Sequence, residues 1–449
     1  MLRPIVRLLL AGGVLLCLSS HVQAQEAERL RIHGSNSFGS RLMPALVESW
    51  LHSIGYQQIR RRAVDAATIE IAATRDGAPL VVEIGNQGSA GGMADLIGGD
   101  AELAMLTRPP TARERDAAWQ LGDLSSPDQA FVVALDGAQL LVAADNPVAS
   151  VSVAQLRDIL TGKLQRWSQL GGPDLPIELH RNGERSGLGD FLRQRLELPA
   201  KAAAPAQTVH AALSQAAQAV VGRPAALAVV GLTTPVPAGT RALAVAEGGG
   251  IAVAPDLASI RGEDYPLVQR YSLYGGQMMS ALGRSLALYA LGPQAQQVVR
   301  RVGPVAMNLS TDAVLARSGS QDATYAQATA GAQRLSSTLR FNLKSLSTMF
   351  EGRSAQDLDR IVAYMQQPAM RGRALAVVGF ANPDPANRLY PTIASNDRAD
   401  VVAAYLAQRG ILVKRSRGLG ATRALVLGDG DAAKSRNERV ELWLLAADR

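Results

Sequence analysis

The sequence predicts an α/β domain followed by a smaller α+β module, on three observations. From Leu30 to about Leu309, short apolar strand candidates alternate with helical patterns, as expected where helices pack on a sheet. Three Gly/Ser-rich turns, Gly34-Ser35-Asn36-Ser37-Phe38-Gly39, Gly88-Ser89-Ala90-Gly91-Gly92 and Arg181-Asn182-Gly183-Glu184-Arg185-Ser186-Gly187, each precede an amphipathic helix. Past a stretch of Ser, Ala, Gln, Thr and Gly between about Ser310 and Ser337, the pattern becomes strand-helix-strand-helix-strand over about 110 residues, enough for one small core.

Residues 1–24 read as a secretory signal. Arg3 and Arg7 form a basic start, Leu8 to Leu18 an apolar stretch, and Val22-Gln23-Ala24 a small-residue cleavage site. Cys17, the only cysteine, follows Leu16 where a lipoprotein signal requires a small residue, so lipidation is not expected. The mature chain then has no thiol for disulfides, thiolate metal sites or nucleophilic catalysis. Export to the periplasm is the expected localisation.

Residues 25–309 are expected to form the α/β domain, with strands at Leu80-Val81-Val82, Phe131 to Leu135 and Ala226 to Val230. Leu42, Leu46 and Trp50 recur at helical spacing after the first turn, Met93, Leu96 and Ile97 after the second, and Leu188, Phe191, Leu192 and Leu196 after the third. Residues 310–338 read as a linker. In residues 339–449, strands are expected at Thr338 to Leu343, Ala374 to Phe380 and Arg439 to Leu445, and helices at Leu358 to Met365 and Ala399 to Leu406.

Formal charge is +7, distributed as +2 over residues 1–24, −1 over 25–338 and +6 over 339–449. The basic excess belongs to the last quarter, which could face an acidic envelope polymer, a lipid surface or solvent. Nucleic acid is not expected as a partner, because no aromatic residues interleave the basic ones to stack bases.

The turns carry the chemistry. A helix start presents unpaired N–H donors and partial positive charge, so three starts converging with Ser hydroxyls and an Arg would cradle an oxyanion. Hydrolytic readings are poor: no Gly-x-Ser-x-Gly elbow is present. His33, His52, His180 and His210 show no metal-ligand spacing in sequence, so no catalytic residue, metal or cofactor is expected. Ser37 with His33 as base remains the phosphatase alternative.

Together the turns resemble the substrate-binding proteins of phosphate ABC importers, over residues 29–310. Asp100-Ala101-Glu102-Leu103-Ala104-Met105 leading to Thr107-Arg108, Asn146-Pro147-Val148, Leu160-Thr161-Gly162-Lys163, Trp167 and Tyr265-Pro266-Leu267 add to the likeness. The resemblance implies a two-lobed periplasmic binding fold closing on phosphate or a similar oxyanion. It places the Ser37 hydroxyl, the Phe38 N–H and the Ser89 hydroxyl on the anion, with Arg181 as bidentate clamp and Ser186, Gly187 and Leu188 as donors from the third helix start. This chain has one residue more than the family pattern between the Arg and the Ser-Gly pair, so Arg185 competes with Arg181. Leu188 stands where these proteins usually have Thr. Thr107 stands where some carry an Asp that accepts the proton of hydrogen phosphate.

Residues 339–449 resemble the OmpA-like peptidoglycan-associated domain, on Val377-Val378-Gly379-Phe380, Ser395-Asn396-Asp397-Arg398-Ala399-Asp400-Val401-Val402, Tyr405-Leu406, Gly418-Leu419-Gly420 and Asn437-Glu438-Arg439-Val440-Glu441. The resemblance implies that Arg398 holds one charge of a zwitterionic wall peptide. Asn382 replaces the Asp that holds the other, a loss of about 1.5–3 kcal/mol unless Asp384 compensates. The expected protein is thus a non-enzymatic oxyanion receptor docked on peptidoglycan, serving capture, sensing or transport through an ABC permease. The alternative is an envelope scaffold whose anion cleft has been reassigned.

Overall fold

A computed structural model describes residues 27–183, 186–199, 207–315, 322–341, 349–428 and 430–446. The secretory signal, including Cys17, and both Glu184 and Arg185 lie outside the described residues. The N-terminal part is built on one continuous sheet. Its first lobe contains β1 (Glu28–Gly34), α1 (Leu42–Ser53), β2 (Gln57–Ala63), β3 (Thr68–Arg75), β4 (Ala78–Gly85), α2 (Ser89–Gly98) and β5 (Leu103–Leu106). β1 lies parallel between β4 and β5. The apolar stripe of α1 is fully buried, and the Trp50 indole donates to Ser285 Oγ at 3.0 Å. α2 approaches β1 so closely that a Cβ on Gly92 would lie 2.3 Å from the His33 carbonyl oxygen.

β6 (Ala130–Ala143) carries the sheet from one lobe to the other. In the second lobe follow β7 (Glu178–Asn182), α3 (Gly187–Arg195), β8 (Gln207–His210) and β9 (Ala226–Gly231), and β10 (Val268–Gly275) returns to the first. The order is β2-β3-β4-β1-β5-β10-β6-β9-β7-β8. The first half of β6 pairs with β10 and its second half with β9. The switch falls at Gly137, where a φ of +149° and the 2.0 Å at which a Cβ would meet the Leu267 carbonyl oxygen exclude a side chain.

The C-terminal module comprises β11 (Ala332–Arg340), α4 (Gly352–Met365), β12 (Leu375–Gly379), α5 (Tyr390–Ala407), β13 (Val413–Gly418), α6 (Asp431–Asn437) and β14 (Arg439–Leu445). Its sheet order is β11-β14-β12-β13, with the strand Thr311–Leu315 outside β11. Leu358 and Ile361 of α4 and Val402 and Leu406 of α5 form a core on one face. Tyr325, Phe380 and Trp443 pack on the other. The expected linker is corrected here: within 310–338 lie the strand Thr311–Leu315, the helix Ala323–Ala328 and most of β11. Its polar residues misled because they are spent at a buried interface. β13 and α6 were not anticipated.

That interface joins the module to both lobes and to the hinge. In the first lobe, Gln356 donates to the carbonyls of Ala130 and Pro127, at 2.8 and 3.1 Å. In the second, backbone bonds of 3.0 and 3.1 Å link Ile251 to Ala424 and Leu427 to Gly248. Between them, Asp264 takes Arg334 and Arg340, the latter at 2.9 Å, and Glu263 takes Arg270 and Arg353 at 2.6 and 2.7 Å. Burial raises the Asp264 carboxyl, but Arg334, Arg340 and Arg439 outweigh it and hold the pKa at about 2. Burial likewise opposes Glu263, whose surrounding arginines hold it well below the carboxylate range.

Candidate functional site

The three turns meet at the hinge. Gly88 N–H donates to the Gly34 carbonyl at 2.8 Å, joining the first two. A Cβ on Gly187 would stand 3.0 Å from the Ser37 Cβ, which brings the third against the first. The Thr107 N–H donates to Ser89 Oγ at 3.2 Å, and their hydroxyl oxygens lie 3.4 Å apart. The structure therefore brings Ser37, Phe38, Ser89, Thr107, Gly187 and Leu188 to one region, and Arg181, the first residue of the third turn, sits buried on β7.

Local detail changes several roles. Ser37 and Phe38 lie in a separate single helical turn, Asn36–Gly39, ahead of α1, so the first turn does not open the long helix directly. Phe38 is fully buried, its ring stacked on Tyr271 at 5.1 Å, leaving its backbone as the part able to meet a ligand. The Ser186 hydroxyl is engaged as the N-cap of α3, accepting from Gly189 N–H at 3.1 Å and donating to the Gly183 carbonyl at 2.7 Å. Its contribution is to hold the helix start, whose first N–H groups have no partner within the helix.

Two residues missed in sequence complete the region. Tyr271 of β10 donates its hydroxyl to Asp136 of β6 at 2.8 Å, beside the lobe switch at Gly137. Burial pushes the Asp136 carboxyl up, while the Tyr271 hydroxyl and the Gly137 N–H oppose the rise. A lone carboxylate inside the apolar run from Phe131 to Val142 was the available signal.

The histidines behave otherwise than their spacing suggests. His180 Nδ1 and His210 Nε2 lie 3.0 Å apart on neighbouring strands, so these two do pair, through the sheet register of β7 and β8. Among the described residues no group of three or more His, Cys, Asp or Glu could hold a metal. His33 contacts Asp95 at 2.8 Å and Glu83 at 3.0 Å with its two ring nitrogens, so neither is directed at Ser37 as a base.

In the C-terminal module, Asn382 and Arg398 line one cavity of about 870 Å³, shared with Tyr265 and Arg270 of the N-terminal part. Both side chains already have partners, while the Arg398 Nη1 has no hydrogen-bond partner. Asn382 donates to the carbonyls of Pro383 and Gly428, both at 3.0 Å, and accepts from Asn437 at 2.7 Å. Arg398 pairs with Glu438 at 2.6 Å, and burial raises the Glu438 carboxyl against that attraction. Asp384 accepts from the backbone of Ala386 and Asn387 at its own loop.

The PBP superfamily domain matches residues 62–294, more than half of the 449 residues, and the chain belongs to that superfamily. Among solved structures, an ABC-type phosphate transport receptor from Vibrio cholerae is 19% identical, covers 62% of this chain and 99% of its own, and has a TM-score of 0.48. A possible phosphate binding protein from Planctomyces limnophilus is 20% identical over 62% of this chain and 93% of its own, with a TM-score of 0.50, which shows a shared fold. No curated protein matches the chain. No helix among the described residues is long and apolar enough to cross a membrane.

Proposed function

We propose that this protein is a periplasmic receptor for one tetrahedral oxyanion, phosphate first, which its N-terminal domain takes up where the three turns meet. The observation that carries the reading is the contact of Gly187 with Ser37, which sets a helix start of one lobe against the Ser-rich turn of the other. Backbone N–H groups at such a start favour an anion, and Arg181 supplies the charge. The structural neighbour from Planctomyces limnophilus is a possible phosphate binding protein, in keeping with this ligand. Arg181→Ala is expected to weaken phosphate binding in calorimetry by about 2–5 kcal/mol, as when one member of a desolvated charge pair is lost. An unchanged affinity would remove Arg181 from the site.

The C-terminal module extends this proposal to the cell wall. Its strand order β11-β14-β12-β13, with a helix in each of three connections, suits the OmpA-like fold that its motifs resemble. Because Arg398 is already paired with Glu438, wall peptide would have to displace that carboxylate, and binding to peptidoglycan is accordingly weak. Cosedimentation with purified sacculi at two salt concentrations tests this: loss in Arg398→Ala supports a specific contact, whereas loss with salt alone indicates diffuse attraction. A second reading, an envelope scaffold, draws on the module's bonds to both lobes, which favour a fixed arrangement over a freely closing receptor.

A further inference from the structure

We propose that the free edge of the C-terminal sheet is a docking site for an extended acidic peptide of a partner protein, which adds a strand beside β13 and sets its carboxylates against Arg415 and Arg417. The inference stands apart from the oxyanion and wall readings, since neither arginine lines the cavity of Asn382 and Arg398.

β13 is the last strand of its sheet and pairs only with β12, so its outer edge is open. Such an edge presents backbone N–H and C=O groups that an added strand can take up. From Lys414 to Arg417 the strand is exposed. At its end the Gly418 N–H is taken by Asn396 of α5 at 2.7 Å, which limits the open edge to the stretch before it. Arg415 and Arg417 stand opposite Ala376 and Val378 of β12, which puts both on the face where Tyr325 and Trp443 pack. Ser416 between them turns the other way and donates its hydroxyl to Asp400 of α5 at 2.7 Å.

Beside this edge runs a groove of about 540 Å³, lined by Gln327, Ala328 and Ala330 on one side and by Arg415, Ser416 and Arg417 on the other. No acidic residue is among its described lining. Arg415 Nη1 donates to the Ala330 carbonyl at 3.0 Å, which holds the guanidinium at the groove wall. Neither Arg415 nor Arg417 forms an ion pair among the described residues. Elsewhere in the module arginines are neutralised by carboxylates: Arg340 by Asp264, Arg353 by Glu263, Arg398 by Glu438 and Arg439 by Glu441. On β13, part of the +6 excess of residues 339–449 is left without a counter-charge.

Charge chooses the occupant. A second copy of β13 on this edge would set like charges against one another, which opposes self-pairing. A strand with carboxylates at alternate positions meets both arginines at once, because residues i and i+2 of a strand share a face about 6.6 Å apart. A lipid surface supplies charge but has no backbone to pair with the edge and does not enter a groove.

The test is fluorescence anisotropy of labelled peptides titrated with the full-length protein. A short peptide alternating Glu with Val is expected to bind saturably, at least about tenfold more tightly than one alternating Gln with Val. Replacing both arginines, Arg415→Ala with Arg417→Ala, is expected to weaken the Glu peptide about tenfold, the scale of two partly exposed ion pairs. Two further peptides, N-methylated on one or the other set of alternate residues, keep the charge, and the one whose strand-facing N–H groups are blocked is expected to bind about tenfold or more weakly. These arms leave the protein unmodified and stand even if the double variant fails to fold. Equal affinity for the Glu and Gln peptides, or an undiminished affinity in the double variant, would overturn the charge match. Both methylated peptides binding like the parent would overturn strand addition. Association with phosphatidylglycerol vesicles but with no peptide would assign the edge to lipid and overturn the proposal, as would binding of neither.

Discussion

Asp264→Asn is the substitution that tests most sharply how the module is joined to the hinge. Asp264 is almost fully buried and faces Arg334, Arg340 and the Thr338 hydroxyl, the last at 3.2 Å. Its pKa, lowered from 3.8 to about 2, means that folding stabilises the charged form over the neutral one by about 2 kcal/mol relative to the unfolded chain. Asparagine is the shape of the neutral acid, so this is the minimum loss. It also turns an amide N–H₂ toward guanidinium donors, leaving buried cations without a full partner. Breaking such a pair from one side costs about 3–5 kcal/mol, and the variant is expected to fall in that range. Urea denaturation, followed by tryptophan fluorescence, measures the difference without adding salt. Asp190→Asn is the control, since its pair with Arg193 is exposed on both sides and is worth less than about 1 kcal/mol. A loss at Asp264 no larger than at Asp190 would refute the claim that buried charge holds the module to the hinge.

Acid is expected to loosen the same junction. Asp264 has a depressed folded pKa, so its contribution is complete above the unfolded value near 4 and is lost as pH falls through about 2; urea midpoints measured between pH 5 and pH 2 should fall most at the acid end in the unmodified protein and less in Asp264→Asn. Gly92→Ala is expected to cost about 1–3 kcal/mol, because the new methyl would collide with the His33 carbonyl and with Gly34 Cα at 2.4 Å; a melting temperature equal to that of the unmodified protein would mean that α2 can shift freely. A fragment of residues 339–449 is expected to be unfolded by circular dichroism, since it lacks Ala332 to Thr338 of the strand that pairs with β14, and a cooperative melt of that fragment would contradict the assigned register.

Much of the fold was legible where burial is one-sided or complete. The α1 stripe, the Phe131 to Leu135 run and the strand Arg439–Leu445 fall where apolar periodicity placed them. β13 was not, because Val-Lys-Arg-Ser-Arg-Gly is an edge strand exposed along most of its length and shows no apolar alternation. The start of β11 was hidden for the opposite reason: Arg334, Ser336 and Thr338 are polar yet inside, committed to Asp264 and Arg261 across the junction. The turns of the candidate site were visible as Gly/Ser runs before helices. The pairing of Asp136 with Tyr271 was not, since 135 residues separate them and only the antiparallel register of β6 and β10 brings them together.

Titration of the dialysed full-length protein with phosphate by calorimetry tests the central claim most directly. Saturable binding at one site per chain is expected, lost or strongly weakened in Arg181→Ala. Absence of binding heat for phosphate, sulfate and arsenate alike, confirmed by equilibrium dialysis, would contradict it and leave the two-lobed domain as a scaffold.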